Sequence, residues 1–551
     1  MSSSVVTASF GTHAASVAAH FWNVREDDSD ENDEVDWNVD HAERARVNEG
    51  STSISYVPRW VAFDARSLRG KTTATGLSSG DAAAAAAAAA WSGAWTVTRA
   101  PPTRRSAYAR ALEREAKALK SESALRALVG DEEEEDGWSR SKLGVVGRAL
   151  ELRASGGVAA DPLDDMEDVS RALIEAAEKL DVDAEHWSDY LKVELCERNE
   201  FALAGKWTGI NAFDGFGEGT DWIESEDRRE DVRDAIRYWV EGCDVLGGFR
   251  ILCDDLSGFG GVCAKALEDV RDDYNNRTVF VFSTRPPAKK ERKRMDMLNA
   301  AFAATSLAAS SDLYCPLAAC DDYSPTLRVH EDSWFHTSAV CALAIEGITT
   351  PWRLKRDVNG ASNIHEMCKF MTARAPGPFA SVKTSVPAPG IRGASDADTL
   401  LDSMRFVSPG VRAPDGEDDA PFSEFFIARG LSTDSTVVAS TIDAMTSREL
   451  YRCPRRRCVV STEVPIPLPF PRIFPSGRPS SVRSLTRLTT SSSTTRDLTR
   501  IHTDFARASV SSVGKTILAQ WSCDAVERAE IVENLCTRAR AYAGDDDADD
   551  F

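Results

Sequence analysis

The sequence contains no run of about 18 to 20 apolar residues, the length that a membrane-spanning helix requires. Its 12 cysteines include no pair at the Cys-x-x-Cys spacing of zinc ribbons. The wider pairs Cys315/Cys320 and Cys453/Cys458 have no matching second pair nearby, so we interpret them as core or loop thiols. No positive charge precedes Arg25, which argues against a basic targeting peptide. We therefore expect no transmembrane segment, no disulfide framework and no zinc finger, and we expect a reducing compartment.

Basic residues are also scarce relative to acids. The 65 lysines and arginines are outnumbered by 87 aspartates and glutamates, which gives a net charge of −22. Because phosphate binding needs a concentrated basic face, we expect no nucleic-acid partner. Much of the negative charge lies in the runs Glu26–Asp40, Asp131–Asp136 and Asp545–Asp550, which we interpret as solvated loops or tails. The length of 551 residues predicts two domains, and an apolar content of 42% is enough to fill their cores.

Residues 226–285 carry the clearest pattern, which is helix, strand, glycine-rich turn, helix and strand in succession. The first helix is indicated by apolar residues at helical spacing, namely Val232, Ile236, Trp239, Val240 and Cys243. Two strands are indicated by Gly248–Cys253 and Thr278–Phe282. Between them, Gly258, Gly260 and Gly261 permit a tight turn and close approach of the backbone to a ligand. This order predicts a parallel βαβ crossover, although a glycine turn alone can be purely structural.

The same stretch resembles the Misato family of tubulin-related proteins. The resemblance is carried by Tyr238, Glu241–Asp244, Gly248–Asp254, Gly258–Gly261, Ala264–Ala266 and Asp273–Tyr274. Further matches to the tubulin or Misato pattern are the strand, turn and helix over 5–22, His20–Asn23, Tyr56–Arg59 with Asp64, Gly347–Leu354, Phe425–Gly430 and Val464–Pro471. The resemblance implies an α/β fold, in which a tubulin/FtsZ-like, Rossmann-type GTPase domain is followed by an α+β second domain.

The domain boundaries follow from these matches and from composition. Residues 1–65 form the N-terminal Misato/tubulin-like segment of the first domain, 161–375 its remainder, 376–543 the C-terminal α+β domain and 544–551 an acidic tail. Residues 66–160 are rich in Gly, Ser and Ala and predict a low-complexity insertion that is partly disordered. Outside the central unit, helices are predicted over Tyr108–Leu128, Met166–Leu180, Arg292–Ala309, Trp334–Ile345 and Asp504–Ala543. The first of these should be exposed, because charges alternate along it.

The resemblance also implies a vestigial GTP pocket. Its candidate residues are Gly11, Ser257, Gly258, Gly260, Gly261, Asn299, Trp334 and Ser338. Tubulins hold the phosphates on a GGGTGSG loop, over which Asp255–Gly261 aligns with only Gly261 in register. Asp255 would place a negative charge where a polyphosphate lies, and Leu256 and Phe259 are too bulky to leave the backbone amides free. Poor phosphate affinity is therefore expected.

The base end of the pocket is better matched. By resemblance, Asn299 stands where tubulins contact guanine and Trp334 where they stack an aromatic ring, whereas Ser338 replaces a second Asn. Two structural alternatives stay open, since Asn299 can cap or bridge helices and Trp334 can belong to the core. The residues of hydrolysis are not matched. Ile364 stands at the acid position of tubulin-like polymers, with Glu366 as the nearest acid, and Arg66 replaces a magnesium-associated Glu, so we predict no catalytic residue and no metal site.

The resemblance implies a role in mitochondrial distribution and morphology, and in partitioning of the organelle and its DNA. We favour a non-enzymatic scaffold that needs no cofactor. Its expected partners are cytoskeletal or mitochondrial outer-surface proteins, in the cytoplasm and on the cytosolic face of the outer membrane. One alternative is a GTP-binding, polymer-forming tubulin relative. Another is a cofactor in tubulin folding or spindle microtubule assembly, with tubulin or a cytosolic chaperonin as the partner.

Overall fold

The first part of the chain is built on a parallel sheet of six strands in the order β5-β4-β1-β6-β7-β8. The computed structural model describes residues 3–30, 37, 43–49, 53–65, 106–115, 162–203, 213–285, 293–319, 327–409, 420–447 and 452–543. The strands of this sheet, with the intervening β2–β3 hairpin, are β1 (Ser4–Phe10), β2 (Arg44–Glu49), β3 (Ser53–Pro58), β4 (Trp60–Ala65), β5 (Glu200–Leu203), β6 (Leu246–Cys253), β7 (Thr278–Arg285) and β8 (Leu313–Ala318).

Helices connect these strands and cover both faces of the sheet. They are α1 (Thr12–Asp30), α2 (Pro162–Glu178), α3 (Leu180–Asp183), α4 (Phe216–Ile223), α5 (Glu226–Glu241), α6 (Gly258–Asp273), α7 (Arg294–Ala309), α8 (Trp334–Arg353) and α9 (Ile364–Thr372). Helices α1 and α8 pack on one face, against Leu252 and Phe282 among others. Helices α5, α6 and α7 pack on the other face, against Ile251 and Val281. A parallel sheet buried on both faces explains why its strands are apolar without interruption.

The predicted unit over 226–285 is confirmed. Helix α5 buries Val232, Ile236 and Trp239 on one face, as the spacing indicated. Strands β6 and β7 are parallel, with Ile251 opposite Val281. Helix α6 crosses between them from the end of one strand to the start of the other. The predicted strand Leu313–Ala318 is also present, and the helix predicted before it runs from Arg294 to Ala309.

A second, mixed sheet follows, with five strands in the order β10-β9-β15-β11-β12. The remaining elements are β9 (Ser381–Ser385), α10 (Ala397–Ser403), β10 (Arg405–Phe406), β11 (Pro421–Arg429), α11 (Ser435–Ser447), β12 (Arg455–Val460), β13 (Val464–Pro465), β14 (Ser481–Val482), β15 (Ser484–Ser491), α12 (Thr494–Val510), α13 (Ser512–Gln520) and α14 (Ala525–Ala543). Strand β11 runs parallel to β12 and antiparallel to β15. Helices α12 and α14 pack beside α7 of the first part. The chain is therefore an α/β fold followed by a smaller α+β arrangement.

Two predicted helix boundaries are wrong. Helix α8 does not end before Gly347 but continues to Arg353. Gly347 lies inside this helix, and a glycine is needed there because a Cβ would overlap the side chain of Thr486 on β15. The single helix predicted over Asp504–Ala543 is instead divided into α12, α13 and α14. Between α12 and α13, Ser511 caps the N-terminus of α13. Between α13 and α14, Ser522 has a positive φ of 57°.

The described part of the expected insertion also differs from prediction. Residues 107–115 are helical, but Tyr108 is only 1% exposed, so this stretch is not an exposed helix. The hydroxyl of Ser106 donates to the carbonyl of Asp189 and holds the stretch against the core. The other residues of 66–160 lie outside the described residues. Among the helices that the structure describes, none is long and apolar enough to cross a membrane.

A buried network of ion pairs joins α1 and α8 to the second sheet. It comprises Arg25, Arg250, Arg353 and Arg429 with Asp28, Glu43 and Glu346. Arg429 on β11 donates to Glu346 on α8 at 3.0 Å and to Asp28 on α1. Burial opposes ionisation of Asp28, but attraction to Arg429 and Arg353 prevails and lowers the pKa of this carboxyl below its usual value. Asp28 belongs to the run Glu26–Asp40, so the interpretation of that whole run as solvated is wrong.

Candidate functional site

The candidate site lies where the strand order of the first sheet reverses. From β1 the chain builds the sheet outward through β4 and β5, and from β6 it builds in the other direction. In open α/β sheets, ligands bind at such a switch point, beyond the carboxyl ends of the strands. Here β1 ends at Phe10 and β6 at Cys253. Gly11 and Asp254, the residues that follow these strand ends, therefore lie at the switch point.

Gly11 turns the chain from β1 into α1. Its φ is +111°, a conformation that residues with a side chain rarely adopt. A Cβ at this position would also overlap the carboxyl group of Asp254. The predicted glycine is thus required for the turn, and the space next to it is filled by a side chain of the same protein.

The Asp254 side chain caps the N-terminus of α1. Its two oxygens accept hydrogen bonds from the backbone N–H groups of Ala14 at 2.8 Å and His13 at 2.9 Å. The hydroxyl of Thr284 donates to it as well, at 2.9 Å. Free N–H groups at the start of a helix are the donors that bind phosphates at such switch points. An internal carboxyl group takes these donors here, and its burial raises its pKa to about 8.

A second buried carboxyl group approaches the same turn from β4. Asp64 accepts from the hydroxyl of Thr12 at 2.7 Å, from the indole of Trp187 at 3.0 Å and from the backbone of Ala65 at 2.7 Å. The first turn of α1 therefore contacts the side chains of both Asp64 and Asp254. A phosphate there would meet two acidic groups.

Asp255 does not have the role expected of it. Its carboxylate points away from α1 and is paired with Arg285, whose guanidinium donates to it at 2.9 and 3.0 Å. The Tyr314 hydroxyl donates to the same group at 2.9 Å. Burial opposes the charge on Arg285, but attraction to Asp255 prevails and raises the pKa of this guanidinium above its usual value. The acid beside the helix terminus is the preceding residue, Asp254, because adjacent residues point in different directions where β6 ends.

The glycines of the predicted phosphate loop pack against α4. A Cβ on Gly258 would lie 2.6 Å from the ring of Phe213, and one on Gly261 would overlap the carbonyl of Phe216. From the other side, a Cβ on Gly219 would overlap the carbonyl of Gly258. Ser257 caps α6, since its hydroxyl accepts from Phe259 and donates to the carbonyl of Asp254.

Gly260 completes this contact, since a Cβ there would come within 2.8 Å of the Asp255 carbonyl. All the predicted glycines of this loop therefore face protein atoms at short range. Their lack of a side chain allows two helices to approach each other.

Asn299 holds this arrangement together. Its amide oxygen accepts from the backbone N–H of Phe216 at 2.9 Å. Its amide nitrogen donates to the carbonyls of Asp214 at 2.7 Å and Leu256 at 2.8 Å. These bonds use both donors of the side chain, so Asn299 bridges segments, which was the structural alternative. It lies on α7, on the opposite face of the sheet from α8, so the structure does not bring it together with Trp334 and Ser338.

Trp334 and Ser338 lie near the start of α8, on the same face as α1. The Trp334 ring is 45% exposed and stands edge-on to the ring of His13, with the ring centres 5.9 Å apart. It is therefore not a core residue. Ser338 is fully buried and donates to the carbonyl of Trp334 at 2.5 Å. Burial lowers the pKa of His13 to about 4, so this imidazole is neutral at physiological pH.

The positions matched to hydrolysis have structural contacts. Ile364 is 1% exposed, in the core. Glu366 accepts from the backbone of Asn363, and its own N–H donates to the Asn363 side chain, which forms a capping box at the start of α9. Arg66 lies outside the described residues. Among the described residues, no three His, Cys, Asp or Glu side chains gather as a metal site would require.

The residues present at this site do not fit a bound nucleoside triphosphate. The helix N-terminus that would face its phosphates is capped by Asp254, and the glycines that would cradle them contact Phe213 and Phe216. The exposed ring of Trp334 is the feature best able to stack on a base. Sequence reasoning missed Asp254 and Asp64 as neighbours of α1, and the signal that could have found them is an acid directly after each of two buried strands.

Known proteins are similar to this chain in sequence. The family model described as "Misato Segment II tubulin-like domain" matches residues 3–114, and the one described as "Tubulin domain" matches residues 178–354. The chain is similar to Protein misato homolog 1 of Macaca fascicularis and of Homo sapiens, each 29% identical over 231 residues. That region covers 39% of this chain and only 40% of the length of each relative. Protein dml1 of Aspergillus clavatus is 23% identical over 472 residues, which is 81% of either chain.

Proposed function

This chain is a tubulin-like protein of the Misato family, and we propose that it works as a non-enzymatic scaffold whose nucleotide pocket is degenerate. The process we propose is mitochondrial distribution and morphology, with partitioning of the organelle and its DNA. The basis for the process is the family resemblance, and the basis for the degenerate pocket is the site itself. The proposed location is the cytoplasm and the cytosolic face of the mitochondrial outer membrane. The proposed partners are cytoskeletal or outer-surface proteins.

The capping of α1 by Asp254 is the observation that carries the pocket proposal. A ligand phosphate would have to displace a side chain that already has three hydrogen-bond donors at 2.8 to 2.9 Å. Displacement would leave the Asp254 carboxyl group buried beside the phosphate. Both the lost hydrogen bonds and the burial of a carboxyl group without its donors oppose binding.

A thermal-shift titration with GTP and Mg²⁺ tests the pocket. The full chain should keep the same Tm from micromolar to millimolar GTP, whereas a ligand at about 100 times its Kd would stabilise it by about 2.7 kcal/mol. Trp334→Ala removes the exposed ring beside His13, and Val526→Ala, at a residue that is 64% exposed on α14, is its matched control. A rise in Tm at micromolar GTP that Trp334→Ala abolishes and Val526→Ala retains would refute the degenerate pocket.

Complementation in cells tests the scaffold. Cells depleted of the protein should show clustered or unevenly inherited mitochondria, and the wild-type chain should restore them. Trp334→Ala should restore them equally well, since the scaffold does not use the pocket. Normal mitochondria after depletion would rule out the proposed process. Failure of a stably folded Trp334→Ala chain would favour nucleotide binding.

The exposure of Trp334 favours one rival, a GTP-binding and polymer-forming tubulin relative. Filament formation that depends on GTP would support that rival. The second alternative is a cofactor in tubulin folding or spindle microtubule assembly. A pull-down with the tagged chain tests it. Recovery of tubulin or a cytosolic chaperonin would support this alternative, whereas recovery of a mitochondrial outer-surface protein would support the scaffold.

A further inference from the structure

The outer strand of the second sheet is unusually basic for an acidic protein. Strand β12 ends the sheet, so its outer edge has no partner strand among the described residues. Four arginines occupy this short stretch, at 452, 455, 456 and 457. Arg455 is paired with Glu424 at 2.6 Å, and Arg457 with Asp443 at 2.7 Å. Arg452 and Arg456 are exposed and have no ion-pair partner in the part of the chain that the structure describes.

Helix α9 adds a further positive charge next to this strand. The guanidinium of Arg456 lies 4.7 Å from the centre of the Phe370 ring on α9. This cation–π contact places the guanidinium of Arg456 over the ring of Phe370. Lys369, the residue before Phe370, is exposed and likewise has no ion-pair partner among the described residues.

The loop that follows α8 runs beside the same strand. Gly360 has a φ of +89°, and a Cβ there would lie 2.7 Å from the carbonyl oxygen of Arg457. This contact places the loop, with the exposed Arg356, alongside β12. The nearby acids are Asp357, Glu366 and Asp443, the last of which is already paired with Arg457. We call Arg356, Lys369, Arg452 and Arg456 the basic edge.

We propose that the basic edge binds an extended acidic segment of a partner protein. The exposed cations of the basic edge complement the carboxylates of such a segment, and an extended chain can contact cations from the strand, the helix and the loop together. The charges need an explanation, since the chain as a whole carries −22 and would repel an acidic partner elsewhere. Protection of an edge strand from aggregation would account for arginines on β12, but not for the cations on α9 and the loop. This partner chemistry goes beyond the proposed scaffold and does not involve the pocket.

Fluorescence anisotropy with a labelled Glu-rich peptide tests the proposal on the full chain. The wild-type protein should bind it, bind the Gln-substituted peptide far more weakly, and lose affinity as salt rises above about 0.1 M. The double variant Arg452→Glu with Arg456→Glu should bind at least about tenfold more weakly, since like charges now oppose the ligand. Arg452→Lys with Arg456→Lys preserves the charge and should retain most of the affinity.

A control variant separates the surface from net charge. Lys179→Glu with Lys515→Glu makes the same change in charge at exposed sites elsewhere and should bind as the wild type does. Equal loss in this control, or no binding by the wild type, would refute the proposal. Binding that appears only after Asp545–Asp550 are replaced by Asn would assign the edge to the chain's own tail and refute an external partner. Equally tight binding of single-stranded DNA would refute the choice of an acidic peptide.

Discussion

Arg429 and Asp28 lie 401 residues apart in the sequence, yet both side chains are fully buried and share two hydrogen bonds of 2.8 and 2.9 Å. The pair connects the first helix of the α/β part to a central strand of the second sheet. Glu346 on α8 accepts from the same guanidinium at 3.0 Å. One arginine thus satisfies carboxylates from two helices.

Arg429→Met should destabilise the protein strongly. It leaves the carboxylates of Asp28 and Glu346 buried with less compensating charge, a change that costs about 3 to 5 kcal/mol for one broken buried pair. Urea denaturation measures the free energy of unfolding. Arg457→Met, on the exposed face of the neighbouring strand, is the control and should change it by about 0.5 kcal/mol or less. A loss below about 1 kcal/mol in Arg429→Met would show that the network contributes little.

Gly219→Ala should destabilise the contact between α4 and α6. The added methyl group would overlap the carbonyl oxygen of Gly258, and backbone cannot move as easily as a flexible side chain. We expect a loss of about 3 kcal/mol or more in the free energy of unfolding. Gly393→Ala is the matched control, because nothing lies within 4 Å of a Cβ there. Similar stability of the two variants would contradict the packing role of these glycines.

Asn299→Ala should lower stability without any nucleotide present. It removes three hydrogen bonds and leaves backbone groups of Asp214, Phe216 and Leu256 without their partner. The expected loss is about 2 to 4 kcal/mol, measured in buffer free of GTP. Trp334→Ala, at a half-exposed ring, should cost much less. If instead Asn299→Ala were as stable as the wild type, the three hydrogen bonds of Asn299 would not contribute to the stability of the fold.

The stability of the protein should fall on acidification because His20 is buried. Its ring stacks on Tyr190 with centres 4.4 Å apart, and one ring nitrogen donates to the carbonyl of Phe335. Burial lowers the pKa of His20 to about 3, although the bond to Phe335 opposes this. Between about pH 6.5 and pH 3 the unfolded chain binds a proton that the folded chain does not, so stability is lost as pH falls.

His20→Phe retains the ring stacking and removes this titration. Between pH 7 and pH 5 the wild type should lose about 2 kcal/mol that the variant does not lose. Urea denaturation at both pH values measures the difference. An identical pH dependence in the two proteins would mean that His20 takes up its proton in the folded state.

Much of the first sheet could be predicted because its signals are local. The apolar runs of β6 and β7 and the helical spacing of α5 depend on neighbours in sequence. The charges inside these elements could not be interpreted in the same way. Arg250 and Glu346 interrupt otherwise apolar segments, and their partners come from elements that the sequence does not place nearby. A lone charge in a buried element indicates a pair, but tertiary contacts decide which one.

The candidate site shows the same division. Gly11 was predicted from the strand, turn and helix around it, and its positive φ agrees with that turn. Of the two adjacent acids after β6, only the fold decides that Asp254 reaches α1 and Asp255 reaches Arg285. The glycines within 258–261 indicate that something approaches this backbone closely, but the pattern is the same for a ligand and for another helix. The identity of the neighbour depended on residues 213–219, which pack there from a separate segment.

The ion pairs that Arg429 makes with Asp28 and Glu346 have a consequence for folding during synthesis. A ribosome releases the Asp28 and Glu346 carboxylates, with their partners Arg25 and Arg353, before it synthesises β11, the strand that supplies Arg429. Until β11 has been synthesised, the parts of α1 and α8 that carry these carboxylates must stay partly hydrated. Premature termination near residue 375 would therefore yield a product in which the carboxylates of Asp28 and Glu346 lack Arg429. We expect proteases to degrade this product, so that it does not persist as an independent unit.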